Sequence, residues 1–161
     1  MPLTDVTTDI DNRTIVMTCD FPVSPERLWQ VWADPRQLEQ WWGPESHPAT
    51  VTEHDLTPGG LVKYHMTGPD GQRFPGGWEV IAVEAPHRLE VRDFFADADG
   101  NPVESAPESR IVIEITATED GSRMVNTSTW ESVEAMQQVL DMGVIEGSSS
   151  AIGQLDALLA A

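Results

Sequence analysis

The chain has 161 residues and a formal net charge of −18, with 27 acidic and nine basic side chains, and this length favours a single domain over residues 1–161. Hydrophobic residues make up 40% of the chain and six residues are tryptophan, a composition typical of a globular protein and not of a disordered one. The single lysine and the eight arginines are never adjacent, so the charge pattern argues against nucleic acid and anionic membrane surfaces as partners.

The N-terminal part of the chain predicts one strand followed by two short helices. Residues 1–11 are polar and acidic, and we expect them to be a flexible N-terminus. Residues 14–21 (TIVMTCDF) alternate between apolar and polar side chains, which predicts a half-buried strand. Ser24-Pro25 and Asp34-Pro35 each supply an N-cap and a proline at the first helical position, so each pair is expected to begin a helix.

The middle of the chain alternates with a period of two and is punctuated by turn sequences, which predicts six further strands. They are expected at 47–56, 61–67, 72–84, 88–96, 110–118 and 122–130, the third being broken at residues 75–77 (Pro-Gly-Gly). Consecutive strands joined by hairpin turns form an antiparallel meander, and the strand at 14–21 can pair at its edge.

The C-terminal part of the chain has a helical pattern. After Ser132 apolar residues recur at spacings of three and four, which predicts one helix of about 27 residues. Gly143, Gly147 and Gly153 are poor helix formers, so we expect them either to let another backbone approach or to leave room beside the helix. The sheet is the only large surface against which this helix can bury its apolar stripe, and a twisted sheet wrapped around a helix can leave a cavity.

Short motifs in a fixed order resemble the START/birch-allergen superfamily, also called SRPBCC. Its opening signature is similar to residues 20–29 (DFPVSPERLW). The sequences WADP at 32–35, WWGP at 41–44 and DLTPGG at 55–60 resemble the branch of that superfamily named after the heat-shock protein 90 ATPase activator. The resemblance covers about residues 13–160 and ends with LDALL at 155–159.

This resemblance implies an α+β helix-grip fold, in which a curved antiparallel sheet wraps around a long C-terminal helix and two short helices follow the first strand. It also implies a hydrophobic ligand cavity between sheet and helix, with its mouth near the short helices. Candidate residues at the mouth are Trp41 and Trp42. Candidates on the walls are Tyr64, His65, Met66, Trp78 and Phe95. Candidates on the roof, from the C-terminal helix, are Met136, Leu140, Gly143 and Gly147.

The leading hypothesis for function is binding of a small hydrophobic or aromatic molecule in this cavity, because the candidate lining is mostly apolar and aromatic. One alternative is an enzyme that uses the same cavity for cyclase- or dehydratase-like acid/base chemistry, with His65, Tyr64 or Asp93 as its groups. Another is a protein-interaction module, such as a regulator of a chaperone. The motifs imply no cofactor, and the sequence leaves open whether the chain forms a homodimer.

Cysteine and histidine usage argues against disulfide and metal sites. Cys19 is alone, which excludes an intramolecular disulfide and a thiolate metal cluster, and the four histidines lack metal-ligand spacing. The N-terminus lacks the basic start and apolar run of a signal peptide, and no apolar stretch approaches the ~20 residues of a membrane span. We therefore expect a cytoplasmic protein without a bound metal.

Overall fold

Alternating apolar and polar residues build one antiparallel sheet in the computed structural model, which describes residues 3–160. The strands are β1 (Leu3–Asp9), β2 (Thr14–Phe21), β3 (Ala49–His54), β4 (Leu61–Thr67), β5 (Arg73–Glu84), β6 (Arg88–Phe95), β7 (Ser109–Ala117) and β8 (Ser122–Trp130). Their order across the sheet is β1-β2-β8-β7-β6-β5-β4-β3. Each of the seven strands predicted from alternation is present, with ends within two residues of the prediction.

The N-terminal segment differs from the prediction. Residues 3–9 form β1, which pairs antiparallel with β2 from Leu3↔Cys19 to Asp9↔Thr14. The flexible N-terminus predicted for residues 1–11 is therefore wrong over this segment, while residues 1 and 2 lie outside the described part of the chain. An edge strand is held by backbone hydrogen bonds and needs no continuous apolar stripe, so the polar composition concealed it.

The strand predicted to pair at the edge of the meander does so. β2 joins the last strand, β8, in a ladder that runs from Thr14↔Thr129 to Phe21↔Ser122. Every second residue of β2 is buried, because the alternation directs one set of side chains to the inner face of the sheet. That inner face forms the floor of the core.

β5 is continuous, and the break predicted at residues 75–77 is wrong. The register shift in its pairing with β6 lies instead between Val80 and Ala82. The two glycines of the predicted break make room for aromatic rings, since a Cβ at Gly76 would lie 2.8 Å from the Tyr64 hydroxyl and one at Gly77 2.7 Å from the Phe94 ring. These glycines therefore permit ring packing within a strand rather than ending it.

Five helices cover the inner face and ends of the sheet within residues 3–160: α1 (Pro25–Ala33), α2 (Pro35–Leu38), α3 (Val133–Asp141), α4 (Val144–Gly153) and α5 (Leu155–Ala160). The first two begin at the predicted caps, where Ser24 Oγ accepts from the Arg27 N–H at 3.2 Å and Asp34 Oδ1 from the Arg36 N–H at 2.9 Å. None of these helices has the length and apolar character that crossing a membrane would require.

The helix-grip fold class is confirmed, but the C-terminal helix is not continuous. Gly143 adopts φ +86° between α3 and α4, a left-handed conformation that ends α3 and that glycine adopts without strain. α4 ends at Gly153, and the side-chain amide of its C-cap residue, Gln154, donates to the Gly43 carbonyl at 2.7 Å. The predicted helix of about 27 residues is thus three consecutive helices, the second of which is tied to the loop after α2.

Candidate ligand-binding cavity

A cavity of about 350 Å³ lies between the inner face of the sheet and helices α3 and α4. Its lining is mostly apolar and aromatic. The sheet contributes Ile15, Met17, Tyr64, Met66, Asp93, Phe95, Ile111, Asn126, Ser128 and Trp130. The helices and loops contribute Trp32, Trp41, Trp42, Pro44, Pro107, Val139, Met142, Val144, Gly147, Ser148, Ala151 and Ile152.

The two most exposed residues of the cavity lining lie at the end of β6 and between α3 and α4. Phe95, at the end of β6, is 41% exposed, and Met142, between α3 and α4, is 61% exposed. Trp41 and Trp42 lie instead in the wall. Trp41 is 2% exposed and its indole N–H donates to the Val31 carbonyl at 2.9 Å, whereas Trp42 is half-buried. The mouth near the short helices therefore stays a prediction, and one of its two candidates, Trp41, is buried.

Six of the eleven candidate residues line the cavity, and five do not. Those that line it are Trp41, Trp42, Tyr64, Met66, Phe95 and Gly147. Those outside the lining are His65, Trp78, Met136, Leu140 and Gly143. The first set includes every candidate on an inward position of β4, which is what alternation along a strand dictates.

His65 and Trp78 are outside the lining for different reasons. His65 lies between the inward-facing Tyr64 and Met66, so alternation sends its side chain to the other face of the sheet. Partial burial and the nearby Arg73 lower the pKa of His65. Trp78 faces inward but is fully buried behind Trp42, with ring centroids 4.9 Å apart, so it supports the wall without reaching the cavity.

The three remaining candidates belong to the helical side. Met136 is 1% exposed and packs in the core below α3, and Leu140 is half-buried against the same core. Gly143 ends α3 in a left-handed conformation and supplies a chain bend rather than cavity space. At Gly147, by contrast, an added Cβ would meet no atom within 4 Å, so this glycine leaves open volume beside α4.

The strongest polar feature of the cavity is a hydrogen bond between Tyr64 and Asp93. The Tyr64 hydroxyl donates to Asp93 Oδ1 at 3.1 Å, reaching from β4 across β5 to β6. Burial raises the pKa of Asp93 to about 7, although hydrogen bonds from Tyr64 and from the Phe94 backbone N–H partly offset it. Asp93 therefore gains and loses a proton near neutral pH, inside a mostly apolar wall.

The neighbouring residue of Asp93 lies on the opposite face of the sheet, as alternation predicts. Arg92 forms ion pairs with Glu79 at 3.4 Å and with Glu108 at 2.7 Å. Its guanidinium also lies 5.5 Å from the centre of the Phe94 ring. The positive charge on β6 is thus compensated on the outer face, away from the cavity lining.

Trp42 connects the aromatic wall to the Tyr64–Asp93 pair. Its ring packs edge-to-face on Tyr64 with centroids 5.9 Å apart. The indole N–H approaches the Tyr64 hydroxyl without the geometry of a hydrogen bond, so this buried donor has no partner in the structure. Burial and the adjacent Asp93 raise the pKa of Tyr64 well above its ordinary value, so Tyr64 is a proton donor throughout the physiological range.

Asn126 and Ser128 on β8 form a second polar region of the lining, which the sequence analysis missed. Both are half-buried inward positions, and Asn126 Oδ1 has no hydrogen-bond partner. The sequence could have identified them, because alternation along β8 places Asn126 and Ser128 on the same face as Met124 and Trp130, which are buried. A polar side chain within a buried set is unusual unless a partner satisfies it.

Within residues 3–160, no group of three or more His, Cys, Asp or Glu side chains is placed to hold a metal ion. Cys19 is free and fully buried in the core. Burial raises the pKa of its thiol to about 12, so Cys19 acts as a packing residue and not as a reactive thiolate.

Comparison with known proteins identifies the family. Residues 22–160 match the family described as Activator of Hsp90 ATPase homolog 1-like protein. No curated protein sequence matches the chain.

Solved structures share the fold over nearly the whole chain. Protein Ms6760 from Mycobacterium smegmatis is 54% identical, with a TM-score of 0.90 and coverage of 98% of this chain and 97% of that one. A protein from Arthrobacter aurescens is 41% identical, with a TM-score of 0.93 and coverage of 97% and 91%. The AHSA1 protein from Silicibacter pomeroyi is 26% identical, with a TM-score of 0.71 and coverage of 91% and 97%. The chain therefore belongs to the Activator of Hsp90 ATPase homolog 1-like protein family, the SRPBCC branch that its motifs resemble.

Proposed function

We propose that this protein binds a small apolar or aromatic molecule in the cavity between its sheet and helices α3 and α4. The observation that carries the proposal is the cavity itself, about 350 Å³ of space lined by aromatic and aliphatic side chains with a few polar groups. Small-molecule sites are usually clefts of roughly 300–1,000 Å³ with this composition. A cytoplasmic location and the lack of a nucleic-acid partner stay predictions, and the oligomeric state stays open.

An ordinary packing defect does not account for a space of this size. Protein interiors pack as densely as organic crystals and leave few voids larger than a water molecule. Here the space persists although six large aromatic side chains surround it, among them Trp42 and Trp130. The absence of a side chain at Gly147 enlarges it further, since an added Cβ there would meet open space.

The family resemblance supports the same function. Members of the SRPBCC superfamily bind lipids, hormones or polyketides in a cavity between the sheet and the C-terminal helix. The alternative of a chaperone regulator rests on the family's name, and no feature of the cavity argues for it. Ligand binding is therefore the function that the geometry favours.

Tryptophan fluorescence provides the test. Titration with N-phenyl-1-naphthylamine, a neutral apolar probe, should quench or shift the protein emission, because tryptophans lie in the cavity wall. Trp42→Phe should remove a substantial part of this change. The matched control is Trp29→Phe, because Trp29 is a buried tryptophan of α1 outside the cavity lining. A titration without any spectral change, or an equal loss in both variants, would count against a ligand site here.

Acid/base catalysis in the same cavity is a second candidate, favoured by the Tyr64–Asp93 hydrogen bond. A carboxyl group with a pKa of about 7 and a neighbouring phenol can exchange protons with a bound substrate near neutral pH. Mass spectrometry of compounds incubated with the protein would distinguish the two functions. Conversion that Asp93→Asn abolishes, with probe binding retained, selects the enzyme, whereas binding without conversion selects the binding protein.

A further inference from the structure

The charge of the cavity restricts the class of ligand. Its only titratable lining residues within the described chain are Asp93 on β6 and Tyr64 on β4. Helices α3 and α4, the short helices and the other strands contribute no Lys, Arg, His or Glu to the lining. An anionic ligand such as a fatty acid would place a second negative charge near Asp93 without a counter-charge, which is strongly unfavourable in an apolar site.

A cation would find the opposite environment. The Tyr64 ring, whose hydroxyl is 3.1 Å from Asp93, packs with the Trp42 ring at 5.9 Å between centroids. Aromatic rings attract cations, and no Arg or Lys side chain in the lining supplies one already. The net charge of −18 also raises the local concentration of cations around the protein.

Asp93 has acceptor capacity left for a ligand. It accepts hydrogen bonds from the Tyr64 hydroxyl and the Phe94 backbone N–H, whereas an ionised carboxylate offers about four acceptor positions. We propose that the cavity takes a hydrophobic amine as its ammonium cation, with the ammonium group donating to Asp93 and the apolar body lying between the sheet and α4. This proposal rests on the proposed function, for which it names the ligand class.

The preference for an amine depends on the protonation of Asp93. An aliphatic amine, like a lysine side chain, stays protonated up to about pH 10. Asp93 changes its charge near pH 7, and Tyr64, whose pKa is raised, stays neutral. A bound ammonium therefore meets a carboxylate at higher pH and a neutral acid at lower pH, so its affinity should fall as the pH drops through 7.

Three probes of nearly the same shape test the proposal by isothermal titration calorimetry: 2-(2-naphthyl)ethylamine, 2-(2-naphthyl)ethanol and 2-naphthylacetate. The amine should bind the wild-type protein at about pH 8 on the order of tenfold more tightly than the alcohol, and the acetate should bind least. Asp93→Asn should remove this advantage, so that the amine binds this variant no more tightly than the alcohol does. The matched control is Asp120→Asn, which makes the same charge change at an exposed residue between β7 and β8.

Each outcome is decisive. Equal binding of amine and alcohol, tighter binding of the acetate, or an amine preference that survives in Asp93→Asn overturns the amine proposal and leaves ligand binding standing. Failure of all three probes and of N-phenyl-1-naphthylamine overturns ligand binding as well. Should Asp93→Asn fail to fold, the wild type still decides, because the amine's affinity must fall between about pH 8 and about pH 5.5 while the alcohol's does not. A pH-independent amine affinity overturns the proposal.

Discussion

Gly76 lies beneath the hydroxyl of Tyr64, and a Cβ at position 76 would approach that oxygen to 2.8 Å. The two residues are paired directly across β4 and β5. Because position 76 lacks a side chain, the Tyr64 ring can lie across β5 and donate to Asp93 on the next strand. One missing methyl group on a central strand thus permits the polar pair in the cavity wall.

Gly76→Ala should displace the Tyr64 ring and lower the free energy of unfolding by about 1–3 kcal/mol, as overpacked cores generally do. Urea denaturation measures the effect. In a Tyr64→Leu background the same substitution should cost less than about 1 kcal/mol, because the obstructing ring is gone. A cost that is undiminished in that background would show that Gly76 serves some other contact.

Asp93 should make the folded state less stable at high pH. The pKa is raised from 3.8 to about 7 by burial, so the folded state holds a proton that the unfolded state has lost between these values. The free energy of unfolding therefore decreases as the pH rises through this window, and the loss is complete above about pH 7. Asp93→Asn should remove this loss. Relative to the wild type, the variant's free energy of unfolding should therefore increase by roughly 2 kcal/mol between about pH 5 and about pH 8.

Denaturation of both proteins at each pH isolates this effect from that of the other carboxyl groups, which are common to both. A stability difference between wild type and Asp93→Asn that does not change with pH would contradict the raised pKa. A stability difference that changes with pH in the opposite direction would indicate a lowered pKa of Asp93, and hence a positive charge near it.

Glu90, on the outer face of the sheet, should contribute more to the free energy of unfolding than an exposed acidic residue in a similar ion pair does. Its side chain is 8% exposed and accepts hydrogen bonds from Arg88, at 2.8 Å, and from Arg110. Glu90→Ala should lower the free energy of unfolding by about 1–3 kcal/mol, because it leaves the guanidinium groups of Arg88 and Arg110 without the carboxylate that accepts their hydrogen bonds. Asp20→Ala, which breaks the half-exposed pair with Arg123, should cost less than about 1 kcal/mol.

The pH dependence of Glu90 has the opposite sign to that of Asp93. Burial raises the pKa of Glu90, but hydrogen bonds from Arg88 and Arg110 outweigh it, so the net pKa is lowered. Its contribution to stability is therefore present above the unfolded value of 4.5 and is lost as the pH falls through the lower folded value. Thermal unfolding at low and neutral pH should show the Glu90→Ala deficit shrinking in acid.

The strands were predictable because alternation and turn sequences are local properties. β2, β4 and β8 begin and end at the predicted residues. The same alternation correctly sends Tyr64 and Met66 inward, and it also argues against His65, which the sequence analysis nevertheless included among the wall candidates. β1 was missed because an edge strand depends on backbone pairing with β2, which no side-chain pattern records.

The site was less predictable because it depends on register and backbone conformation. The Tyr64–Asp93 hydrogen bond requires β4, β5 and β6 to align with a glycine between the two residues, and no local pattern specifies that alignment. Gly143 ends a helix within an apolar spacing that continues on both sides, so the spacing concealed the interruption.

The most direct test of the central claim compares two glycines of α4 by titration with N-phenyl-1-naphthylamine. At Gly147 and at Gly153 an added Cβ meets no atom within 4 Å, and both positions gain helix propensity on substitution, but only Gly147 lines the cavity. Gly147→Leu should fill the space and weaken probe binding on the order of tenfold or more, while Gly153→Leu keeps the wild-type affinity within about twofold. Equal affinity in all three proteins would contradict a ligand site between the sheet and α4.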